Sequence, residues 1–276
     1  MTQFELTPPV FSILSSLIEE KSGLHYGLLD RELLQDRAAM RALEAGFDTL
    51  LDYYYFLRYD PGGEQELEKL VESLVVNETY FFREWPGIQV IVDSVIEPRC
   101  AKGQKVRVWS AACATGEEPL SLAMLLDHRN LLDRVQIVAS DISAKALCVA
   151  HQGRFGRRSV RQIPDTVLFD KYIEVKSGGY EVPLRLIESI RWERRNLLTS
   201  DLSDLGTFDV ILCRNVLIYF GDRTVISVLG RFCDLLTNDG RLLVGVSESL
   251  LRYGGRFIGE EGAGVFVYRK APHYDC

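Results

Sequence analysis

The sequence predicts an α/β protein: an open, mostly parallel sheet with helices on both faces, a helical bundle before it and a small antiparallel excursion within it. Three observations lead there. The first hundred residues place apolar side chains at helical spacing between glycine and proline breaks. From residue 106 onward, short β-branched runs alternate with amphipathic stretches. Between residues 153 and 188 that rhythm is interrupted by apolar runs flanking Gly178-Gly179. A length of 276 residues fits two domains, or one large domain with an appendage, at about 150 residues each.

Val10, Ile13, Leu14, Leu17 and Ile18 recur at helical spacing and Gly23 follows as a stop, so a helix is predicted over 10–21. Further helices are predicted over 30–45, ending at Gly46, over 48–58, ending at Pro61-Gly62-Gly63, and over 64–76. Four short helices with short connections make residues 1–76 a bundle. A connecting segment, 77–104, contains a helix over 85–99, and 105–276 is the sheet domain. Its strands are predicted at 106–109, 135–139, 189–194, 208–213, 240–246 and 264–268, with helices at 117–128, 143–152 and 222–237. In the excursion, 172–175 and 180–187 are predicted strands joined by the Gly-Gly turn.

With 47% apolar and 26% charged residues, the chain is an ordinary globular protein. A net charge of −7 argues against a general nucleic-acid binder. Residues 1–75 hold six basic and fourteen acidic side chains, whereas the remainder is nearly neutral and contains the run Arg154, Arg157, Arg158 and Arg161. That run is either a contact surface or a solvated face. The six cysteines, Cys100, Cys113, Cys148, Cys213, Cys233 and Cys276, form no C-x-x-C pair or Cys/His cluster, so no metal site is expected and reduced thiols are. The N-terminus lacks the features of a signal peptide, and no apolar run approaches the roughly 20 residues that span a bilayer. A cytoplasmic protein is the expectation.

Ligands of such sheets bind beyond the carboxyl ends of the strands, where strand order reverses. After the first strand, Ser110-Ala111-Ala112-Cys113-Ala114-Thr115-Gly116-Glu117-Glu118-Pro119 enters a helix through small residues that admit a ligand close to the backbone. It lacks G-x-x-x-x-G-K-[ST] and G-x-G-x-x-G, which disfavours a dinucleotide oxidoreductase. Glu117 and Glu118 would repel a phosphate, so the loop suits a nucleoside or a cation; equally, both glutamates complement the helix dipole. Asp141 ends the second strand, where a carboxylate can accept from two ribose hydroxyls or cap the next helix. Beside that loop, the ribose reading is preferred. Arg214-Asn215 follow strand 208–213, with Tyr219 in the apolar run beyond; such polar groups satisfy one another or meet a ligand. Asn77, Thr79 and Arg83 interleave with aromatics between the bundle and the sheet half, where ligands are favoured, although Phe81 and Phe82 also suit a core. His25, His128, His151 and His273 fall outside these segments, and no nucleophile–histidine arrangement emerges.

NETYFFRE at 77–84, WSAACATGEEPLSLAM at 109–124, ASDIS at 139–143, RNLL at 195–198, FDVILCRNVLIYF at 208–220 and SESL at 247–250 together resemble the bacterial chemotaxis receptor glutamate methyltransferases, the CheR family. The match runs in order over nearly the whole chain. The resemblance implies a Rossmann-like class I methyltransferase sheet, S-adenosyl-L-methionine as donor with S-adenosyl-L-homocysteine as product, and glutamyl methyl esters formed on the cytoplasmic helical domain of chemoreceptors. By motif position, Asn77, Thr79, Arg83, Glu117, Asp141, Asn196, Leu197, Asn215 and Val216 would line the cofactor pocket, with Arg83 and Tyr219 nearest the reacting groups. The chemistry agrees: a glutamate with a pKa of about 4.3 is ionised at neutral pH, so the nucleophile needs no general base and catalysis becomes a matter of alignment. Arg83 carries a planar fork of donors suited to orienting that carboxylate.

The chain departs from the family pattern in places. Ala112, Ala114 and Leu120 stand where the family's loop, A-G-C-S-T-G-E-E-P-Y-S, has Gly, Ser and Tyr. The family's basic second helix, which docks the receptor, is matched by Arg31, Arg37 and Arg41 but diluted by Asp30, Glu32, Asp36 and Glu44. Residues 171–188 correspond to the β-subdomain that in some members captures a receptor's C-terminal pentapeptide by adding a strand. It is short here, and tethering is not assumed. Two other readings share the donor pocket: a methyltransferase acting on a small molecule, and a non-catalytic module that binds S-adenosylmethionine.

Overall fold

Thr7-Pro8-Pro9 opens the first helix, α1 (Pro8–Ser22), because proline's fixed φ suits the first helical position and its missing N–H is not needed there. The computed structural model describes residues 4–272; His273 and Cys276 lie outside them. The other predicted bundle helices follow as α2 (Arg31–Glu44), α3 (Leu50–Tyr59) and α4 (Gly63–Leu74). Thr49 caps α3 by accepting from the Asp52 N–H at 3.1 Å. Buried Glu66 of α4 accepts from Arg41 Nε and Nη2 at 3.0 and 2.6 Å and from the Tyr53 hydroxyl at 3.1 Å, so a single carboxylate ties α2, α3 and α4. Burial, ahead of the neighbouring Glu66 carboxylate, pushes the Tyr53 hydroxyl well above its ordinary pKa and keeps it a donor. Arg31 Nε donates to the Leu6 carbonyl at 2.7 Å. Two of the three α2 arginines that match the family's basic helix are thus engaged within the helical unit, while Arg37 is exposed beside exposed Leu33, Met40 and Leu43.

Residues 219–224 group with these helices as one compact unit. Leu24 and Phe220 form an antiparallel bridge, and the His25 N–H donates to the Tyr219 carbonyl at 2.9 Å. These residues lie within the expected span 105–276, and their pairing joins chain regions in a way that no local pattern announces.

The second unit begins at Asn77. The helix expected over 85–99 is α5 (Trp85–Ile91) and α6 (Glu97–Ala101) joined by a π turn at Val92–Ile96. Pro98 has no N–H for the Ser94 carbonyl, and the wider turn accommodates that loss. There follow β1 (Val106–Ala111), α7 (Glu117–His128), β2 (Val135–Asp141), α8 (Ala144–Gln152), β3 (Arg154–Gly156), α9 (Thr166–Tyr172), β4 (Glu174–Lys176), β5 (Gly179–Glu181), α10 (Leu184–Glu188), β6 (Ile190–Arg194), β7 (Phe208–Cys213), α11 (Asp222–Leu235), β8 (Leu236–Val244), β9 (Phe257–Gly262) and β10 (Val265–Lys270).

The main sheet has the order β6-β2-β1-β7-β8-β10-β9, parallel from β6 to β8 and antiparallel beyond. Val108, Trp109 and Ser110 of β1 are all fully buried, so both faces of the sheet are covered. Trp109 stacks on Phe208 with centroids 5.6 Å apart, meets Phe232 edge-on at 5.4 Å, and donates from Nε1 to Ser140 Oγ at 2.9 Å. Strand order reverses at β1, which pairs with β2 on one side and β7 on the other.

Three elements differ from expectation. Strand β8 starts at Leu236, earlier than the predicted 240, because Asn238-Asp239-Gly240 form an irregular pairing opposite Phe208–Val210 in place of a loop. β9 was not predicted; its sequence, Phe-Ile-Gly-Glu-Glu-Gly, is poor in β-branched residues, and its hairpin with β10 supplies the order. The small sheet, β3-β5-β4, takes one strand from Arg154–Gly156, outside the expected 171–188, while the predicted strand 180–187 is mostly helix α10 entered at Pro183. Short apolar runs do not distinguish strand from helix. Arg154, Arg157, Arg158 and Arg161 are all exposed on β3 and the turn after it. Cys100, Cys113, Cys148 and Cys213 are free thiols. Among the described residues no helix is long and apolar enough to cross a membrane.

Replacing Glu66 by Ala leaves the Arg41 charge and the buried Tyr53 hydroxyl without their acceptor. Urea unfolding should then show a loss of about 3 kcal/mol; a loss under about 1 kcal/mol would mean the network contributes little.

Candidate functional site

Past the end of β1 the chain turns through three left-handed residues, Ala112 (φ 60°), Ala114 (φ 49°) and Gly116 (φ 93°), before α7 begins. At Gly116 a Cβ would come within 2.8 Å of both Ala150 and Trp192, so only glycine fits. The two alanines have no such freedom and are held by hydrogen bonds around them: the Cys113 N–H donates to the Ser140 carbonyl at 2.9 Å and the Ala114 N–H to Asp141 Oδ2 at 2.8 Å.

Asp141 is buried at the end of β2, and its Oδ1 accepts from the Ser143 N–H at 2.8 Å. The cap of α8 is Ser143, whose hydroxyl accepts from the Ala146 N–H at 3.0 Å. Asp141 ties the loop after β1 to the loop after β2. Glu117, the first residue of α7, is 1% exposed. Its neighbours are the hydroxyls of Thr115, at 2.6 Å, and Ser159, with no cation beside it among the described residues. Burial pushes its carboxyl above the ordinary glutamate value, against these hydrogen bonds. A buried carboxylate without a counter-charge is costly to ionise.

The segment 77–84 is fastened to these loops. Asn77 Nδ2 donates to Ser143 Oγ at 3.4 Å, the Phe81 N–H to the Ser159 carbonyl at 2.8 Å and the Phe82 N–H to Ser121 Oγ at 3.0 Å. Phe81 and Phe82 are also fully buried, so the core and site readings hold together. Half-buried Arg83 sits between two left-handed residues, Phe82 (φ 61°) and Glu84 (φ 47°). Its Nη1 donates to the Glu78 carbonyl at 2.8 Å, and its guanidinium lies 5.7 Å from the Tyr80 ring centroid. Arg161, from the basic run, lies 4.8 Å from that ring and pairs with Glu78.

After β7, the Arg214 guanidinium is buried. It reaches Glu118 Oε2 at 2.9 Å, Glu84 Oε2 at 3.2 Å and the Arg83 carbonyl at 2.6 Å. Asn215, left-handed at φ 60°, donates from its main chain to Glu248 Oε2 at 2.7 Å and from Nδ2 to Glu84 Oε1 at 3.0 Å. Val216 follows, half-buried. Glu248 also accepts from Gly245 N–H at 2.7 Å and from Ile218 N–H at 3.3 Å; burial raises its carboxyl despite these donors. Asn196 and Leu197 come after β6, next to Arg195, whose N–H donates to the Asp141 carbonyl at 3.0 Å. Asn196 Oδ1 accepts from the Leu198 N–H at 2.8 Å, and the Leu197 carbonyl accepts from Arg231 Nη1 at 2.6 Å.

Asn77, Arg83, Glu117, Asp141, Asn196, Leu197, Asn215 and Val216 thus stand on one hydrogen-bonded set of loops at the carboxyl ends of β1, β2, β6 and β7, and half-buried Thr79 lies on the segment fastened to them. Tyr219 groups with the helical unit, where its carbonyl accepts from the His25 N–H at 2.9 Å. The sequence reading singled out neither Glu84 nor Glu248. Both lie inside quoted motifs, yet nothing in spacing marks that Glu84 meets Arg214, Asn215 and Val246, or that Glu248 meets the Asn215 and Ile218 N–H groups.

A parallel sheet reversing at β1, a small-residue turn without a phosphate cradle, an acid ending β2 and a buried acid opening α7 define a class I S-adenosylmethionine-dependent methyltransferase domain. Residues 77–262 match the model described as "CheR methyltransferase, SAM binding domain", and residues 9–75 the one described as "CheR methyltransferase, all-alpha domain". The chain is 34% identical over 264 residues to chemotaxis protein methyltransferase 2 of Vibrio cholerae, covering 93% of this chain and 91% of that one. It is 35% identical to chemotaxis protein methyltransferase 2 of Pseudomonas aeruginosa (86% and 81% covered) and 32% identical to the chemotaxis protein methyltransferase of Escherichia coli (90% and 86%). The chain belongs to the CheR methyltransferase family. It is an S-adenosylmethionine-dependent chemotaxis protein methyltransferase.

Ala112 holds a left-handed backbone where the family's loop has glycine. Ala112→Gly should raise unfolding stability by about 0.5–1 kcal/mol in urea titrations; a decrease would mean the methyl group makes contacts that outweigh the strain.

Proposed function

We propose that the methyl acceptor is the γ-carboxylate of glutamates on the cytoplasmic helical domain of chemoreceptors, giving glutamyl methyl esters. The observation that carries this is Arg83: a guanidinium on a strained turn, its main chain clamped by Arg214, on the segment hydrogen-bonded to the α7 and α8 loops. When bound, S-adenosylmethionine supplies a methyl carbon on a positive sulfur, the S–CH3 bond breaking as an O–CH3 bond forms and the neutral thioether departing.

The protein's own contribution is binding and alignment. Asp141 accepts from the ribose hydroxyls, and Glu117, which has no cation beside it among the described residues, takes the α-ammonium group. Asn77, Thr79, Asn196, Leu197, Asn215 and Val216 line the remainder. Arg83 orients the acceptor carboxylate through two donors without a proton transfer, since the carboxylate is already ionised. Tyr219 is assigned to the reacting end by its motif alone. Receptor docking on α2 rests more on Leu33, Met40 and Leu43 than on charge, because Arg31 and Arg41 bond within the helical unit. A substrate in a receptor's cytoplasmic domain assigns the enzyme to the cytoplasm.

Radiolabelled methyl transfer to a receptor cytoplasmic fragment should give base-labile label. Donor binding without such label would favour the small-molecule or non-catalytic reading. Arg83→Ala should reduce transfer by about a hundredfold while Lys69→Ala, on the surface of α4, changes it less than about twofold; equal effects would remove Arg83 from the reacting end.

Donor affinity should also depend on pH. The Glu117 carboxyl titrates above its ordinary value of 4.5, and only the ionised form attracts the ammonium group. Affinity measured by calorimetry should therefore fall as pH is lowered from neutrality through that raised pKa, with proton release on binding in the same window. Glu117→Gln should bind weakly with a flat profile, and a wild-type profile in this variant would exclude the assignment.

A further inference from the structure

We infer that Glu84 is a positioning residue that fixes which end of the Asn215 amide meets the cofactor, so that Oδ1 is offered as an acceptor to its α-ammonium group. This rests on the reading of Asn215 as a donor-site residue.

Glu84 Oε1 accepts from Asn215 Nδ2 at 3.0 Å, while Glu84 Oε2 accepts from Arg214 Nη2 and from the Val246 N–H, each at 3.2 Å. A carboxylate can only accept, so the amide nitrogen must face it and the amide oxygen must face away. Asn215 Oδ1 makes no hydrogen bond among the described residues. Glu248 holds the left-handed main chain of Asn215, and Gly245 leaves the amide room: a Cβ there would come within 2.6 Å of Nδ2. Main chain and side chain are thus fixed by different acids, and one acceptor is left open.

Strand order says which part of the cofactor that acceptor serves. Along the sheet the site residues run Asn196 after β6, Asp141 after β2, Glu117 after β1 and Asn215 after β7. With the ribose at Asp141, base and amino acid extend in opposite directions along this row. With the ammonium held by Glu117 on the β1 side, the amino-acid half would lie toward β7 and the base toward β6. The ammonium has three donors, and a single carboxylate does not satisfy them all.

Glu84→Gln supplies the test because it need not unfold the site. The substituted amide would place its oxygen toward Arg214 and Val246 and its nitrogen toward Asn215, which would rotate its own amide to accept. Every bond of the clamp survives, but Asn215 now offers Nδ2, a donor, to an ammonium. E84Q should weaken S-adenosylhomocysteine binding in calorimetry by about tenfold, with the thermal midpoint within about 3 °C of wild type. The penalty should vanish for an analogue lacking the α-amino group. E84Q/N215D, which restores both the clamp and an outward acceptor, should recover affinity to within about threefold. E84Q binding like wild type, or carrying the same penalty for the desamino analogue, would overturn the assignment. So would an equal loss in Glu118→Gln, which removes charge from Arg214 without touching Asn215. Asn215→Ala separates the two levels: unchanged affinity there would sink the donor-site reading itself, whereas a loss there with none in E84Q would sink only the role of Glu84.

Discussion

The α/β unit depends on the burial of one guanidinium. Arg214 stands at the end of β7 with 3% of its side chain exposed, in a place where an uncompensated charge would cost several kcal/mol. Its partners are therefore obligatory, and they come from different parts of the chain: Glu118 in the first turn of α7, and the carbonyl of Arg83 with the carboxylate of Glu84 in the segment before α5. Satisfying that one charge joins the loops after β1 and β7 to the segment bearing Arg83. Hydrophobic residues of similar size often pack as stably in such places, but they do not specify which loops meet.

Backbone strain gathers around the same place. Of the seven non-glycine residues with positive φ among those described, Phe82, Glu84, Ala112, Ala114 and Asn215 all lie in these loops. Each costs of order 1–3 kcal/mol and persists only where surrounding bonds over-determine it. The bonds are identifiable: Ser121 for Phe82, Asp141 for Ala114, Glu248 and Glu84 for Asn215. Because binding and transfer here need alignment more than proton movement, rigid loops serve the chemistry directly.

Much of this was legible from residues alone. The helices up to Leu74, and strands β1, β2, β6 and β7, follow from periodicity and punctuation, since each has a one-face or fully buried pattern ended by glycine, proline or a polar run. Asp141 and Glu117 stand out because they flank the same small-residue turn, although each also has a structural use, as a cap or as a complement to the helix dipole. The misses have a common cause. β3 is three residues long, β9 is rich in glutamate and glycine, and the β8 irregularity carries a turn-like Asn-Asp-Gly; all exist by pairing with neighbours rather than by local preference. Arg31 and Arg41 occupy positions of the family's basic second helix, and their bonds to Leu6 and Glu66 depend on contacts that no local pattern announces.

The amino-acid sequence by itself determined the order of helices and strands, the family, and which residue types stand at the strand ends, because these are properties of patterns a few residues long. Only the tertiary structure decided that Asp141 braces a loop and does not cap a helix, that Tyr219–Thr224 group with the helices, and that Glu84 and Glu248 share the holding of Asn215. Those outcomes turn on which donor finds which acceptor across 27, 33 and 131 residues of chain, and hydrogen-bond partners at that separation are set by how the strands stack side by side, not by what precedes or follows a residue.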